Sequence, residues 1–331
     1  MQPEQCHHHE YDQTHAALQA FEGVLAKELS VPIAHSYMQT LIHELGGANQ
    51  PYEMLLAYGN VLHEQIGLEI YGPLLVGYCQ WVEQMCEQIG HTGLVHMALR
   101  DGAPMLSAAT VLWKDTDIVP HGVYVNRPIL GIEDEISADV EGADAYVLHY
   151  LAQQGIHPNG KLVLCDSGAW GTVVKEMKQK LLPDTQFYPL FWYSHNPYIP
   201  GYLNSLLQEL GHPDSVGEIV NDSLECVFPQ CWERPTHTTI LPSGHINVVL
   251  TPNVPLAVAW GESALNGVVK AATNYKQGIS HEEELDALHA IVISSKYAQE
   301  SGTWTGVLPD HTPTWSRGQE FLSAWPKDLL P

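Results

Sequence analysis

The spacing of apolar residues along this chain changes near residue 94. From residue 12 to residue 90, apolar side chains recur three and four positions apart, as in THAALQAFEGVLAKEL and LLVGYCQWVEQMCEQIG. This spacing predicts a series of amphipathic helices. Glycine and proline pairs such as Gly72-Pro73 interrupt the pattern and divide it into separate helices.

Beyond residue 94, short apolar runs alternate with segments of helical spacing. The predicted strands are residues 94–99, the segment HGVYVNRPIL, residues 161–165 and residues 186–192, with SLECVF and HINVVL as further candidates. The predicted helices are APMLSAATVLW, ADAYVLHYLAQQG, AWGESALNGVVKAATNY and HEEELDALHAIVISSKYAQ. Strands that alternate with helices in this way predict an α/β fold with a mainly parallel sheet.

The same pattern divides the chain into three parts. Residues 1–90 are predicted to form a helical segment, residues 91–255 an α/β core that binds phosphate, and residues 256–331 C-terminal helices followed by a tail. A chain of 331 residues is long enough for one large domain or two. We expect the three parts to form a single composite domain.

The charge of the chain limits its partners. The sequence has 14 basic and 38 acidic residues, a formal net charge of -24, and such a field repels the phosphate backbone of a nucleic acid. No run of about 18 apolar residues could span a bilayer, and the first residues lack the basic and apolar regions of a secretory signal. The six cysteines lack zinc-site spacing, which favours buried free thiols in a reducing compartment. We therefore expect a cytoplasmic protein that binds neither nucleic acid nor membrane.

Two of the predicted strands end in residues suited to hold a ligand. Arg100-Asp101-Gly102 follows the strand at 94–99, and Asp166 follows the strand at 161–165. In a parallel sheet, ligands bind at the carboxyl ends of the strands, where the chain turns toward the next helix. Both segments are therefore predicted to face one cleft.

The residues that follow Asp166 are typical of a tight turn near an anion. Gly168 and Gly171 let the backbone turn sharply and bring its N–H groups close to a negatively charged group. Thr172 opens the next helix, where its hydroxyl can contact a ligand or cap the helix. The same residues would also suit a strand-to-helix turn that binds nothing.

A third set of polar residues follows the predicted strand at 186–192. Ser194, His195 and Asn196 are predicted to lie at the same edge of the sheet as Asp166. Because imidazole titrates near neutral pH, His195 is a candidate general acid or base. A turn histidine with its hydrogen bonds satisfied inside the protein is the alternative.

The segments LVLCDSGAWGTVV and VHMALRDGAPMLSAA resemble two loops of the type I phosphoribosyltransferases. In that family one loop follows a strand with an acidic pair, contains Thr-Gly among small residues, and binds phosphoribosyl diphosphate. Asp166 matches the first acid of that pair, and Gly171-Thr172 lies near the end of the loop. An earlier loop of the family, often with arginine and glycine, contacts the diphosphate. The resemblance covers about residues 94–195.

The resemblance implies a phosphoribosyltransferase-like sheet and an enzyme that displaces diphosphate from a phosphorylated ribose with a nitrogen nucleophile. Asp166 would stabilise the ribose as its anomeric carbon becomes cationic, and Arg100 would stabilise the leaving diphosphate. Magnesium is the implied cofactor, with Asp101 and Asp166 as its protein ligands. The other residues of the predicted ligand site are Gly102, Ser167, Gly168, Ala169, Trp170, Gly171, Thr172, Ser194 and Asn196.

Other interpretations stay open at this point. Ser167 stands where the family has its second acid, so a nucleotide or sugar-phosphate sensor without catalysis is one alternative. DSGAWGT also resembles the glycine loop of S-adenosylmethionine-dependent methyltransferases, although no acid ends the next strand. A P-loop is excluded because the chain has no Gly-Lys-Ser/Thr. Assembly into a homo-oligomer and metal binding by HHHEYDQTH are also left open.

Overall fold

The structure, a computed structural model, describes most of the middle of the chain. The described residues are 60, 63–99, 101–130, 143–213, 216–218, 220–221, 224, 228, 234–251 and 255–300. Nearly all of them belong to one compact unit, His63–Val292. The predicted helices before residue 60, the histidine-rich start and the predicted tail lie outside the described residues.

Within this part of the chain, four parallel strands form one sheet in the order β2-β1-β3-β4. The strands are β1 (Gly93–Ala98), β2 (Ile118–Val123), β3 (Lys161–Ala169) and β4 (Gln186–Ser194), and a separate antiparallel hairpin joins β5 (Arg234–Ile240) to β6 (Ile246–Thr251). The helices are α1 (Gly72–Gln88), α2 (Ala103–Leu112), α3 (Arg127–Leu130), α4 (Ala143–Gln153), α5 (Thr172–Glu176), α6 (Tyr202–Glu209), α7 (Pro255–Asn274) and α8 (His281–Glu300). Two π-helical segments, Ile66–Tyr71 and Met177–Leu181, precede α1 and follow α5. None of the described helices is long and apolar enough to cross a membrane.

Strand β3 lies between two apolar layers. Val163 and Cys165 belong to a buried cluster that includes residues of α1, whereas Leu162 and Leu164 belong to a second cluster that includes residues of α4. Successive side chains of a strand point to opposite faces, so helices cover both faces of the sheet. The predicted α/β fold with a mainly parallel sheet is confirmed for the described residues.

The chain leaves β1 and β3 toward opposite faces of the sheet. After β1 it forms α2, whose Met105 packs in the same cluster as Val163, and continues outward to β2. After β3 it forms α5, whose Val174 packs in the same cluster as Leu164, and continues outward to β4. Right-handed crossovers that run in opposite directions along a sheet must pass over opposite faces. The gap between the carboxyl ends of β1 and β3 is therefore a topological switch point.

Helix α1 is fixed to the sheet by a buried hydrogen bond. The hydroxyl of Tyr78 donates to the main-chain oxygen of Leu190 in β4 over 2.7 Å, inside the first apolar cluster. Nearby, Cys79, Cys86 and Cys165 are buried free thiols, as the sequence predicts. Burial raises the pKa of Cys86 to about 11, so this thiol stays protonated and unreactive at neutral pH.

Two of the predicted strands are wrong in part. The segment HGVYVNRPIL was expected to be one strand, but β2 starts earlier, ends at Val123, and is followed by the helical turn Arg127–Leu130. Each residue of β2 pairs with one of β1, so the length of β1 limits it. Pro128 fits the first turn of a helix, where no backbone N–H is needed. In the candidate strand SLECVF, Leu224 is helical.

His96 is a titratable group buried in the middle of the sheet. This residue is 3% exposed, and its Nε2 donates to the main-chain oxygen of Gln154 over 3.0 Å. The ring of His121 on β2 lies 5.5 Å away and adds a second ionisable group. Burial is the main reason that the pKa of His96 falls to about 4, and the neighbouring His121 lowers it further. His96 is therefore neutral in the folded protein at pH 7.

This depressed pKa predicts a loss of stability in mild acid. The unfolded chain binds a proton near pH 6.5 and the folded chain only near pH 4, so stability falls as the pH drops through this window. Urea unfolding at pH 7 and pH 4.5 should show His96→Gln losing about 2 kcal/mol less than the wild type. The exposed His157 provides the control, because His157→Gln should keep the wild-type pH dependence. An unchanged pH dependence in His96→Gln would contradict this assignment.

Candidate functional site

Strand β3 continues past the point where the sequence predicted a turn. A strand at 161–165 was expected, but β3 runs to Ala169, and Gly168 pairs with Tyr193 of β4. Gly168 has a φ of 103°, and a Cβ at this position would collide with the main-chain oxygen of Tyr193. Only glycine lets β3 follow β4 this closely. The turn itself is thereby reduced to Trp170 and Gly171.

The turn after β3 is closed by a glycine. Gly171 occupies the N-cap position of α5 with a left-handed φ of 73°, and no side chain caps this helix. Thr172 is the first residue of the helix, so the prediction that it caps the helix is wrong. A left-handed N-cap explains why glycine, rather than a capping threonine, stands before the helix. The hydroxyl of Thr172 can still contribute to a ligand site.

The turn after β1 is equally tight. Gly102 is the N-cap residue of α2, and its N–H donates to the main-chain oxygen of Ala98 over 3.0 Å. A Cβ on Gly102 would collide with that same oxygen, so α2 begins directly on the end of β1. Asp101 is partly exposed in this turn. Arg100, the predicted stabiliser of a leaving group, lies outside the described residues.

The two turns lie at one edge of the sheet. Strands β1 and β3 are parallel neighbours, with Met97 of β1 level with Cys165 of β3. Their carboxyl ends therefore point the same way, and Asp166 directly follows Cys165 within β3, whereas Asp101 lies four residues after Met97 in the turn that follows β1. Because β1 and β3 flank the switch point, both acids lie toward the edge of the sheet that borders its crevice.

Ser167 is placed differently from its neighbour Asp166. Both are in β3, where successive side chains point to opposite faces of the sheet. Asp166 continues the face of Leu164, and its side chain is only partly buried and has a protein partner. Ser167 is 3% exposed. The two side chains therefore do not form an adjacent pair. Residue 167 is not a position from which an acid would lie next to the side chain of Asp166.

Ser194 and Asn196 hold the turn after β4. The Ser194 hydroxyl donates to the main-chain oxygen of Asn196 over 3.0 Å and accepts the N–H of Asn196 over 3.1 Å. The side chain of Asn204 in α6 binds both main-chain polar groups of Ser194, each over 2.9 Å. Both predicted ligand residues are buried, so the visible role of their polar groups is to fix the loop that carries His195.

His195 lies in an aromatic and acidic cluster, which we define as Trp170, Tyr193, His195 and Glu218. The His195 ring stacks on the indole of Trp170, with ring centroids 4.5 Å apart and planes inclined by 24°. Its Nδ1 lies 3.2 Å from the Tyr193 hydroxyl, and its Nε2 lies 3.7 Å from a carboxylate oxygen of Glu218. The His195 side chain is 6% exposed. This cluster joins the turn after β3 to the end of β4.

The cluster also has a defined electrostatic state. The contact with the His195 ring lowers the pKa of the Glu218 carboxyl, an effect that partial burial of the carboxyl opposes. Glu218 is therefore ionised at neutral pH and places a negative charge beside the His195 ring. Both ring nitrogens of His195 face protein groups, so the imidazole is better placed to position Trp170 than to exchange protons with a ligand.

Sequence reasoning missed two members of this cluster, Tyr193 and Glu218. Tyr193 and His195 are two residues apart around the end of a strand, a spacing that places side chains on one face and could have indicated their contact. Glu218 belongs to a separate helical segment and carries no local signal. The neighbouring Gly217 is needed there because a Cβ would collide with the Tyr193 ring.

Comparison with known proteins does not identify a family for this chain. Searches with models of protein families and among curated proteins found no match. The likeness to the type I phosphoribosyltransferases therefore rests on the segments around Arg100 and Asp166.

The lowered pKa of Glu218 can be tested by substitution of its partner, His195. In His195→Phe the ring against Trp170 is kept but the contact with Glu218 is lost, so the pKa of Glu218 should rise toward its ordinary range. A ¹³C NMR titration of glutamate carboxyl groups, assigned with Glu218→Gln, measures this change. His245→Phe, at an exposed position in the β5–β6 turn, should leave the titration unaltered. An unshifted Glu218 in His195→Phe would mean that the contact has no electrostatic weight.

Proposed function

We propose that this chain binds a phosphorylated ribose donor in the crevice between the carboxyl ends of β1 and β3, and transfers its ribose phosphate to a nitrogen nucleophile. The observation that carries the proposal is the switch point, where α2 and α5 leave toward opposite faces of the sheet. Two turns that contain a glycine at the N-cap of the following helix, Gly102 and Gly171, border this crevice. A residue without a Cβ lets a ligand approach the backbone of such a turn.

In this reaction the bond between the anomeric carbon and diphosphate breaks, and a bond to nitrogen forms. Positive charge develops on the ribose before the new bond is complete. Asp166 lies in the C-terminal half of β3, and its side chain is partly exposed. A carboxylate there can stabilise that charge. Arg100, which follows the sequence of β1, is assigned to the departing diphosphate by the family resemblance.

The donor set at this edge fits magnesium held largely by a substrate. Magnesium commonly takes one or two protein carboxylates together with phosphate oxygens, and two carboxylates are present here, Asp101 in the turn after β1 and Asp166 in the neighbouring strand β3. In the described residues no group of three or more histidine, cysteine or acidic side chains is gathered for a metal. When bound, magnesium would neutralise the diphosphate and make it a better leaving group. The protein residues then orient the ribose and exclude water.

A sensor that binds the same ligand without turnover is the second candidate. The residue type at position 167 favours it, because a serine follows Asp166 in the sequence where the family resemblance would have a second acid. His195 also has protein groups at both ring nitrogens. A sensor would bind phosphoribosyl diphosphate and release no diphosphate from it.

The role of Asp166 separates these candidates. Asp166→Asn should lower the rate of diphosphate release by about 100- to 10,000-fold, because the lost charge acts mainly in the transition state. The affinity for phosphoribosyl diphosphate with magnesium should change much less. Release is measured with ammonia and free nucleobases as acceptors, and affinity by calorimetry.

Asp117 provides the matched control, since it is exposed and precedes β2 at the opposite edge of the sheet. Asp117→Asn should leave both quantities unchanged. Binding without release in the wild type would favour the sensor. No binding of phosphoribosyl diphosphate to the wild type would refute both candidates.

A further inference from the structure

Trp170 is a large aromatic side chain in an unusual place. It lies in the two-residue turn between β3 and α5, next to the left-handed Gly171. A turn that approaches a phosphate closely is best served by small residues, and of the two residues of this turn Gly171 alone is small. The indole is only partly buried, so core packing alone does not account for it.

The position of the indole is set by the protein before any ligand arrives. One face of Trp170 stacks on the His195 ring at 4.5 Å between centroids. His195 is in turn held between the Tyr193 hydroxyl at 3.2 Å and the Glu218 carboxylate at 3.7 Å. Tyr193 is 1% exposed and packs against Gly217, so this support is rigid at its base. A side chain held in this way loses little conformational entropy when a ligand binds.

The same cluster lies beside the crevice proposed to bind phosphate. Trp170 directly follows the end of β3, and β3 borders the switch point on one side. His195 directly follows the end of β4, the next strand of the sheet. A ligand whose phosphate lies at the turn after β3 therefore has an aromatic surface within the reach of its other end.

We propose that Trp170 is a stacking platform for a planar ring of the ligand, with His195 as the residue that positions it. The proposal rests on the phosphate site described above and names its ligand class more narrowly: a nucleotide or an aromatic nitrogen acceptor, rather than a simple sugar phosphate. Stacking of a base on an aromatic side chain strengthens binding by about 10- to 100-fold and tolerates many ring types. Trp170 therefore selects for the presence of a ring and not for one particular base.

Two small ligands isolate the contribution of the ring. Ribose 5-phosphate and adenosine 5′-monophosphate share the sugar and the phosphate, and only the second carries a base. The wild type should bind adenosine 5′-monophosphate on the order of 10- to 100-fold more tightly, as measured by calorimetry. Trp170→Ala should remove most of this difference and leave the affinity for ribose 5-phosphate unchanged.

Conservative variants distinguish a platform from a structural role. Trp170→Phe keeps an aromatic face and should retain most of the preference for adenosine 5′-monophosphate, even if Trp170→Ala folds poorly. His195→Phe keeps a ring beneath the indole and should also retain the preference, whereas His195→Ala should weaken it. Circular dichroism at the temperature of the binding experiment shows whether each variant is folded.

The outcomes separate this proposal from the proposed function. Equal affinity of the folded wild type for the two ligands would overturn the platform while leaving the phosphate site intact. Equal affinities in the wild type and a folded Trp170→Ala variant for adenosine 5′-monophosphate would overturn it as well. Failure of both ligands to bind would refute the platform and the phosphate site together. Binding of adenosine that depends on Trp170, without binding of ribose 5-phosphate, would keep the platform and refute the phosphate site.

Discussion

The parallel pairing of β1 with β3 is the constraint on which the rest of the described structure depends. These two strands form the centre of the sheet, and each continues through a helix to an outer strand on its own side. With right-handed crossovers, the two helices must lie on opposite faces of the sheet. The two apolar clusters, the helices that cover them and the crevice at the carboxyl edge all follow from this arrangement.

A second constraint acts at the end of β3. Gly168 lets this strand keep its pairing with β4 for several residues beyond the buried apolar run. The extension brings Trp170 next to His195 and leaves only a short turn before α5. A side chain larger than hydrogen at residue 168 would push β3 away from Tyr193, which also carries the support of His195. The backbone geometry and the aromatic cluster thus depend on the same glycine.

The sequence indicates the sheet more reliably than the site. Short, largely apolar segments mark the cores of β1, β3 and β4, and helical spacing marks α2, α4, α7 and α8. The end of β3 escapes this reasoning because Ser167, Gly168 and Ala169 have small side chains that show no strand pattern. Strand β5 was not predicted, since RPTHTTI is largely polar and its pairing with β6 is a tertiary contact. Glu218 could not be found either, because its role comes from a fold contact with His195.

The central claim, a ligand at the switch point, is tested most directly by a crystal structure of the protein with ribose 5-phosphate. The account predicts that the phosphate lies between the carboxyl ends of β1 and β3, within hydrogen-bond distance of the turns at Gly102 and Gly171. The ribose should lie on the side of Asp166. A ligand bound at the amino edge or on a helical face, with this crevice empty, would contradict the account.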